Sequence, residues 1–202
     1  VLAARLARKH GALLHVLALL QSKLGIVLVA HGVDHGLRDE ATKELDTAES
    51  FAIHLGVPFG RTKIRIARGG NVQARARTAR FAALAEAAAA VHAVAIATAH
   101  HADDRAETFL LRLMRGAGPR GLGVLPPRAP LGSTGIELVR PLVRARQTSV
   151  MAHLERHCVP FATDPSNEDP KYLRTRVRRE LMPLFEEMSP GIVEHLAWLA
   201  DQ

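Results

Sequence analysis

Short apolar runs alternate with longer amphipathic segments along most of the chain. Strands are predicted where small and β-branched residues cluster over a few positions, at 26–30, 58–66, 95–99 and 136–139. Helices are predicted where apolar residues recur every three to four positions, at 12–24, 40–55, 72–90, 147–157, 171–187 and 191–200. The alternation favours an α/β fold, with a doubly wound, mostly parallel sheet that carries helices on both faces.

Polar residues begin directly after the predicted strand at 95–99. They are His100, His101, Asp103 and Asp104. The spacing of Asp104 and Glu107 predicts a capping box at the start of a helix. That helix is expected to end at Arg115-Gly116, with four residues facing inward, namely Phe109, Leu110, Leu113 and Met114. Ligands of open α/β sheets bind where parallel strands end and helices begin, so this stretch is the candidate site.

Two other interpretations of the same stretch stay open. The acidic residues can act only as a helix cap, with the two histidines on the surface. Alternatively, His100, His101, Asp103 and Asp104 offer imidazole and carboxylate ligands that suit zinc or manganese. Arginines at positions 75, 77 and 80 lie on one predicted helix, where they can be solvated or can grip phosphate oxygens.

Composition narrows the function classes. The chain has 202 residues, of which 48% are hydrophobic, with 27 Lys and Arg against 20 Asp and Glu. The pI near 10.5 favours a polyanionic partner, although a solvated basic surface has the same composition. Cys158 is the single cysteine, which excludes a disulfide framework and a cysteine-rich metal site within one chain. A single cysteine is typical of a reducing compartment and no sorting signal is seen, so a cytoplasmic location is expected. The most apolar stretch, 82–99, is interrupted by Glu86 and His92 and predicts no membrane span.

Four segments carry a family resemblance. HHADDRAETFLLRLMRGAGPRGL at 100–122 resembles the central signature of the tRNA(Ile)-lysidine synthetases, a family of N-type ATP pyrophosphatases. VDHGLR at 33–38, NVQARARTARF at 71–81 and DPSN at 164–167 are similar to further family motifs and occur in family order. The sequence departs from the family at His31-Gly32, where the first histidine is displaced by one residue, and at Thr175, where asparagine is usual.

The resemblance implies a fold, a reaction and partners. Residues 1–187 are expected to form an N-type ATP pyrophosphatase domain with an adenine nucleotide alpha hydrolase-like fold, and 188–202 to begin a connecting helix towards further domains. The implied enzyme uses ATP and Mg²⁺ to adenylate the wobble cytidine of tRNA(Ile) with a CAU anticodon, and L-lysine then displaces AMP to form lysidine. A homodimer is one expected arrangement.

The resemblance also implies roles for individual residues. Asp104 would hold Mg²⁺ and act in catalysis together with Arg77 and His101. Glu107 would bind the substrate lysine. ATP contacts are expected from Asp34, His35, Arg80, His100 and Asp103, and tRNA contacts from Arg115, Arg120, Arg176 and Arg178.

One family motif is absent. The Ser-Gly-Gly-x-Asp-Ser loop, in which backbone amides cradle pyrophosphate after the first strand, occurs nowhere in the sequence. Residues 1–11 are similar to the helix that precedes that strand, so we expect a segment to be missing near Gly11 and Ala12. The structure should then show a spatial gap or a sheet without one central strand, and the chain should bind ATP poorly.

Two further functions stay open. A sibling enzyme that thiolates tRNA is disfavoured because cluster-dependent members need several cysteines and this chain has only Cys158. A non-catalytic RNA-binding remnant would keep the fold and the basic surface without ATP chemistry. Transfer of labelled lysine to tRNA would separate the remnant from the ligase.

Overall fold

A computed structural model describes residues 2–4, 8–34, 40–65, 72–161 and 171–202. Within these residues one sheet contains six strands, β1 Leu2–Ala4, β2 Ala30–Asp34, β3 Phe59–Lys63, β4 Ala95–Ala97, β5 Arg128–Pro130 and β6 Glu137–Val139. The strand order is β3-β2-β1-β4-β6-β5, and every neighbouring pair is parallel except β5 with β6. The predicted doubly wound, mostly parallel α/β fold is confirmed.

The helices follow the strands in alternation. They are α1 Arg8–Leu24, α2 Glu40–His54, α3 Val72–Ala90, α4 Ala102–Leu113, α5 Pro119–Leu122, α6 Gln147–Arg156, α7 Leu173–Arg176, α8 Met182–Met188 and α9 Ile192–Leu199. A π-helical segment, Val177–Leu181, joins α7 to α8. None of the helices in the described ranges has the length and apolarity needed to cross a bilayer.

Helices cover both faces of the sheet because successive residues of a strand point in opposite directions. Ala97 of β4 belongs to a core with Leu13 of α1 and Leu154 of α6. Its neighbour Ile96 belongs to a second core with Leu84 of α3. The central strand β4 is therefore buried from both sides, which explains why its sequence is an unbroken apolar run.

A third core lies beyond the carboxyl end of the sheet. Phe109 and Leu110 of α4 pack there with Val177, Met182 and Leu196 from the π-helical segment, α8 and α9. Helix α9 thus packs against α4, and the proposed domain boundary near residue 188 stays a prediction.

The order of the strands creates a crevice at the centre of the sheet. The chain runs from β1 to β2 and β3 on one side, and β4 then pairs with the other side of β1. Helix α1 starts four residues after β1, and α4 starts five residues after β4. Because adjacent parallel strands end at the same edge and their connections diverge here, the first turns of α1 and α4 border one crevice. We call it the β1–β4 crevice.

The expectation that a central strand is missing is wrong. Leu2–Ala4 forms the central strand β1, with Leu2 opposite both Ala30 and Ala97. Residues 1–11 therefore contain this strand and the start of α1, not a helix that precedes the sheet. The strand-to-helix connection at 5–7 lies outside the described residues, but its sequence is Arg-Leu-Ala. The Ser-Gly-Gly-x-Asp-Ser motif is absent from the sequence, although the central strand that precedes it in the family is present.

The strand predicted at 26–30 is displaced. Val27 is 92% exposed, and pairing begins only at Ala30, whose N–H donates to the carbonyl of Pro58 at 2.8 Å. The apolar run is therefore the connection from α1, and the strand continues through Gly32 to Asp34. Backbone pairing on both sides determined this strand more strongly than its apolar pattern did.

Three details of the central stretch also differ from prediction. The N-cap of α4 is His101, and Asp104 rather than Glu107 closes the capping box. Leu113 and Met114 are each 49% exposed, because α4 ends at Leu113 and these two residues lie outside the core that buries Leu110. Helix α5 and strand β5 lie where neither a helix nor a strand was predicted. The helix predicted at 171–187 is divided by the π-helical segment.

Candidate functional site

Asp104 lies at the base of the β1–β4 crevice and is 1% exposed. The ammonium of Lys9, in the first turn of α1, donates to both carboxylate oxygens at 3.0 and 2.8 Å. Arg174 Nη2 donates to Oδ1 at 3.2 Å, and the backbone N–H of His101 donates to Oδ2 at 3.2 Å. The carboxylate is thus fully engaged by groups of the protein.

These partners keep Asp104 ionised. Burial by itself raises the pKa of this carboxyl, because desolvation disfavours the charged form. The interactions of Asp104 with the cation Lys9, and then with His101 and the cation Arg174, outweigh burial, so the pKa of Asp104 is held far below its usual range. Asp104 is therefore negatively charged at neutral pH.

The first turn of α4 orients the neighbouring polar groups. His101 Nδ1 accepts the Asp104 N–H at 3.3 Å as the helix cap. Asp103 turns away from Asp104 and accepts the backbone N–H of Gln147, the first residue of α6, at 2.7 Å. Burial raises the pKa of Asp103, but its hydrogen bonds to His101 and Gln147 lower it further than burial raises it. The two adjacent carboxylates therefore contact different parts of the protein: Asp104 is held by Lys9 and Arg174, and Asp103 by the start of α6.

Glu107 is the second buried carboxylate of α4, also 1% exposed. It accepts from Arg174 Nε at 2.8 Å and from Arg178 Nε and Nη2 at 2.6 and 2.9 Å. Arg174 and Arg178 are four residues apart, on one side of the chain as α7 passes into the π-helical segment. This arrangement fixes the two arginines next to Asp104 as well as to Glu107.

Further guanidinium groups lie near the β1–β4 crevice, where the charges of Arg140 and Arg77 act on His100 together with that of Asp104. Arg77 and Arg80 of α3 lie over the ring of Phe81, at 5.1 and 5.3 Å from its centroid. The pKa of Arg77 is lowered by burial and by the charge of Arg174, and that of Arg80 by burial and by Arg77. The pKa of Arg140, which follows β6, is lowered by burial and again by Arg77. The cationic side chains near the crevice therefore outnumber the carboxylates that could pair with them.

Several buried donors in this cluster have no acceptor. Within the described chain, His10 Nδ1, Arg80 Nε and Arg140 Nε are buried and make no hydrogen bond. Burial and then nearby cations lower the pKa of His10 to about 3, and burial lowers that of His100 to about 3. An unsatisfied buried polar group costs roughly 1–3 kcal/mol. An anion with several oxygens would relieve that cost at the two guanidinium donors, and at His10 in the tautomer that carries its proton on Nδ1.

A cavity of about 220 Å³ adjoins the carboxylates on the other side of α4. Three carboxylates line it, those of Asp103, Glu107 and Glu186, and so do the guanidinium groups of Arg146 and Arg178. Arg146 donates to Glu186 at 3.3 Å and to Glu194 at 2.8 Å. Glu186 Oε2 is buried and accepts no hydrogen bond from any described residue. The cavity can therefore accept a cationic group.

The residues of the crevice do not fit Mg²⁺. A hard divalent cation needs several oxygen ligands, yet both oxygens of Asp104 are held by Lys9, and Asp103 and Glu107 are held by other donors. Among the described residues no three His, Cys, Asp or Glu side chains are grouped to hold a metal ion. The Mg²⁺ assignment to Asp104 and the zinc or manganese alternative therefore find no support in this arrangement.

Other predicted site residues lie outside the cluster. Asp34 ends β2 at the same edge of the sheet, while His35 and the segments at 66–71 and 162–170 lie outside the described residues. Arg115 and Arg120 are exposed beyond α4, and Arg176 is exposed and paired with Glu180 at 2.9 Å. His31, three residues before Asp34 in β2, forms a hydrogen bond of 2.8 Å with Thr62 Oγ1 of β3.

Sequence reasoning missed Lys9, His10 and Arg140. The first two were assigned to a segment before the sheet, because residues 1–11 resemble the family helix that precedes the first strand. Arg140 directly follows an apolar strand at its carboxyl end, the same signal that identified His100 and His101. The same reasoning could therefore have identified Arg140 as a candidate site residue from the sequence.

Comparison with known proteins agrees with the fold. The family model described as the PP-loop domain matches residues 10–185. A solved structure titled U34-tRNA thiolase NcsA from Methanococcus maripaludis with its [4Fe-4S] cluster superposes with a TM-score of 0.78 at 16% identity. It covers 99% of this chain and 70% of that chain, and at this identity the likeness concerns the fold alone.

Relatives named tRNA(Ile)-lysidine synthase are similar over most of this chain. The one from Salinispora arenicola is 40% identical over 86% of the chain and 51% of its own length. Those from Pseudomonas aeruginosa and Novosphingobium aromaticivorans are 38% and 42% identical and are covered over 41% and 52% of their lengths. The chain thus spans about half of the length of these relatives, and the predicted resemblance is confirmed. Together with the match over residues 10–185, it follows that the chain belongs to the PP-loop family.

Proposed function

We propose that this chain is the nucleotide-handling domain of a cytoplasmic ligase that joins L-lysine to the wobble cytidine of tRNA(Ile) with a CAU anticodon. The observation that carries the proposal is the excess of cationic side chains at the β1–β4 crevice. Lys9 and Arg174 hold the carboxylate of Asp104. Arg77, Arg80 and Arg140 add positive charge nearby, and the Nε atoms of Arg80 and Arg140 are buried without an acceptor in the described chain. The names of the relatives support the choice of reaction.

The crevice would bind the phosphates of ATP. The C2 oxygen of the cytidine attacks the α-phosphorus, the bond to the β-phosphate oxygen breaks, and pyrophosphate leaves. Arg77 and Arg80 are suited to the charge that develops on the phosphate oxygens, because a guanidinium can donate two parallel hydrogen bonds. His10 and His100, neutral because of their low pKa, add hydrogen-bonding capacity without adding charge. Asp104 orients Lys9, and His101 orients Asp104 through the helix cap.

The second step needs a lysine amine beside the adenylated cytidine. The lysine ammonium first gives a proton to Glu186, whose buried Oε2 has no partner among the described residues. The amine nitrogen then bonds to C2 while the bond from C2 to the adenylate oxygen breaks, and AMP leaves with that oxygen. We assign the lysine to the 220 Å³ cavity, where Asp103, Glu107 and Glu186 favour an ammonium group. Arg146 and Arg178 on its wall match the lysine carboxylate. Glu107 separates this cavity from the crevice and keeps Arg174 and Arg178 in place.

The tRNA would approach from the exposed end of α4. Arg115 and Arg120 are both solvent-exposed and are suited to the phosphate backbone. Arg176 and Arg178 were assigned the same role, and of these Arg176 is exposed whereas Arg178 is committed to Glu107. We therefore expect Arg115, Arg120 and Arg176 to contribute more to tRNA affinity than Arg178.

Transfer of radiolabelled lysine tests the proposal. The protein is incubated with ATP, labelled lysine and a tRNA(Ile) transcript that carries C34, and a transcript with U34 is the matched control. ATP-dependent label in the C34 transcript alone is the expected result. Label in neither transcript contradicts the proposal.

The strongest second candidate is an RNA-binding domain without ATP chemistry. It is favoured by the absence of the Ser-Gly-Gly-x-Asp-Ser motif and by the ion pair of Lys9 with Asp104. Under that function the same tRNA binds in a mobility-shift assay, while ATP is neither bound nor consumed. Thiolation is disfavoured by the single cysteine, Cys158, which is exposed.

A further inference from the structure

We infer that Lys9 takes the place of a divalent cation at Asp104, so that the β1–β4 crevice binds a polyphosphate without a metal ion. The inference rests on the proposed use of this crevice for ATP phosphates, but it concerns how the negative charge of the phosphates is neutralised. It assigns to Lys9 a binding role that follows from its contacts alone.

The ammonium of Lys9 has the geometry of a bound cation. It lies 3.0 and 2.8 Å from the two oxygens of Asp104, across a sequence separation of 95 residues. Asp104 is 1% exposed, whereas the side chain of Lys9 is 29% exposed. Lys9 therefore shields the carboxylate from the crevice and presents part of its own charge there.

A metal ion could bind Asp104 only by displacing Lys9. The displaced ammonium would then stand close to a divalent cation and to Arg174, which already donates to Asp104 Oδ1 at 3.2 Å. Repulsion between like charges in a buried site is strong because the local dielectric is low. The remaining carboxylates of α4 cannot compensate, since Asp103 accepts from Gln147 and Glu107 accepts from Arg174 and Arg178.

The neighbouring donors complete an anion site. His10, next to Lys9 in the first turn of α1, has a buried Nδ1 without a partner in the described chain. Arg140 is 6% exposed and its Nε is likewise buried and unpaired there. The guanidinium Nε atoms of Arg80 and Arg140 can only donate, so they need oxygen acceptors rather than another cation. A chain of phosphate oxygens meets that need and also the excess positive charge.

The test titrates inorganic pyrophosphate into the protein by calorimetry in the presence of EDTA. The wild type should bind pyrophosphate in EDTA. When Mg²⁺ replaces EDTA, the affinity for pyrophosphate, calculated from the concentration that is not complexed by Mg²⁺ in solution, should change by less than about threefold. Lys9→Met should lower the affinity in EDTA by about 10- to 100-fold, the loss of one charge-assisted hydrogen bond. Lys23→Met, which removes the same charge from the exposed last turn of α1, should leave it unchanged.

Mn²⁺ alone provides the second measurement. Electron paramagnetic resonance should detect one more bound Mn²⁺ in Lys9→Met than in the wild type, because Asp104 becomes accessible. Lys9→Arg keeps the charge, and it should retain metal-free pyrophosphate binding even if Lys9→Met folds poorly. Pyrophosphate binding by the wild type that disappears in EDTA, or no binding in either buffer, overturns the inference. Neither readout involves tRNA or lysine, so loss of lysine transfer with intact pyrophosphate binding contradicts only the proposed function.

Discussion

Asp104 and Arg105 are adjacent buried charges on α4 with opposite surroundings. Arg105 is 1% exposed and points into the third core, where its Nε donates to Val124 O at 2.9 Å and its Nη2 to Ala200 O at 2.8 Å and to Asp201 at 2.7 Å. Asp104 faces the β1–β4 crevice among cations that outnumber it. The contrast teaches that burial of a charge does not identify a functional site, whereas an excess of like charge with unpaired donors does.

The largest expected effect separates the two residues by stability. Arg105→Met should lower the free energy of unfolding by about 3–5 kcal/mol, because it leaves Asp201 and two backbone carbonyls without their buried partner. Urea denaturation measures the change. Arg112→Met, on the exposed side of the same helix, removes one hydrogen bond to Gly121 O and should cost less than about 1 kcal/mol. Equal losses in both variants would contradict a structural role for Arg105.

The next effect is a dependence of the unfolding free energy on pH, caused by His100 and His10 near the β1–β4 crevice. The pKa of His100 in the folded protein is about 3, below its ordinary value of 6.5. Between these values the unfolded chain binds the extra proton, so this histidine makes the protein less stable as pH falls from 6.5 towards 3. His10 acts in the same direction. Each contributes up to about 1.4 kcal/mol per pH unit in that window.

Unfolding free energies at pH 7 and pH 5 test this slope. His100→Gln should flatten the dependence by up to about 1.4 kcal/mol per pH unit, because glutamine does not titrate. His195→Gln, an exposed histidine on α9, should leave the slope as it is in the wild type. An unchanged slope in His100→Gln would show that His100 is not kept neutral by burial.

Asp104→Asn should lower the free energy of unfolding by less than Arg105→Met does, and it should strengthen anion binding. The amide keeps the shape but leaves Lys9 without its counter-charge, so we expect a loss of about 1–3 kcal/mol at pH 7. The pKa of Asp104 is lowered in the fold, so its contribution is present above the unfolded value near 3.8 and disappears as pH falls further. Affinity for pyrophosphate should rise because one negative charge is removed. A fall in affinity would indicate that Asp104 itself helps to bind the ligand.

Much of this arrangement follows from local patterns in the sequence. Helix α3 matches its predicted bounds, and β4 lies inside the predicted strand, because both have a clear apolar pattern. Strand β1 was missed because Leu-Ala-Ala is short and lacks β-branched residues, so only its pairing with β2 and β4 makes it a strand. The missed β5, Arg-Ala-Pro, likewise forms by pairing with β6 at the edge of the sheet.

The candidate site was predictable only where its residues are local. His100, His101 and Asp104 follow β4 in one stretch, and the sequence identified them. Lys9 binds Asp104 across 95 residues, and no periodicity or spacing reports such a contact. The same limit explains why the contacts of Glu107 with Arg174 and Arg178 were not expected. The assignment of Glu107 to the substrate lysine stays a prediction.

The central claim is that the excess cations of the β1–β4 crevice bind phosphate, and Arg80 tests it most directly. Its Nε is buried without an acceptor in the described chain, so its replacement removes a donor but no existing bond to Nε. Calorimetric titration of ATP should show at least about a tenfold weaker affinity in Arg80→Met than in the wild type. Arg112→Met should bind ATP as the wild type does. Equal affinity in all three proteins would contradict the claim.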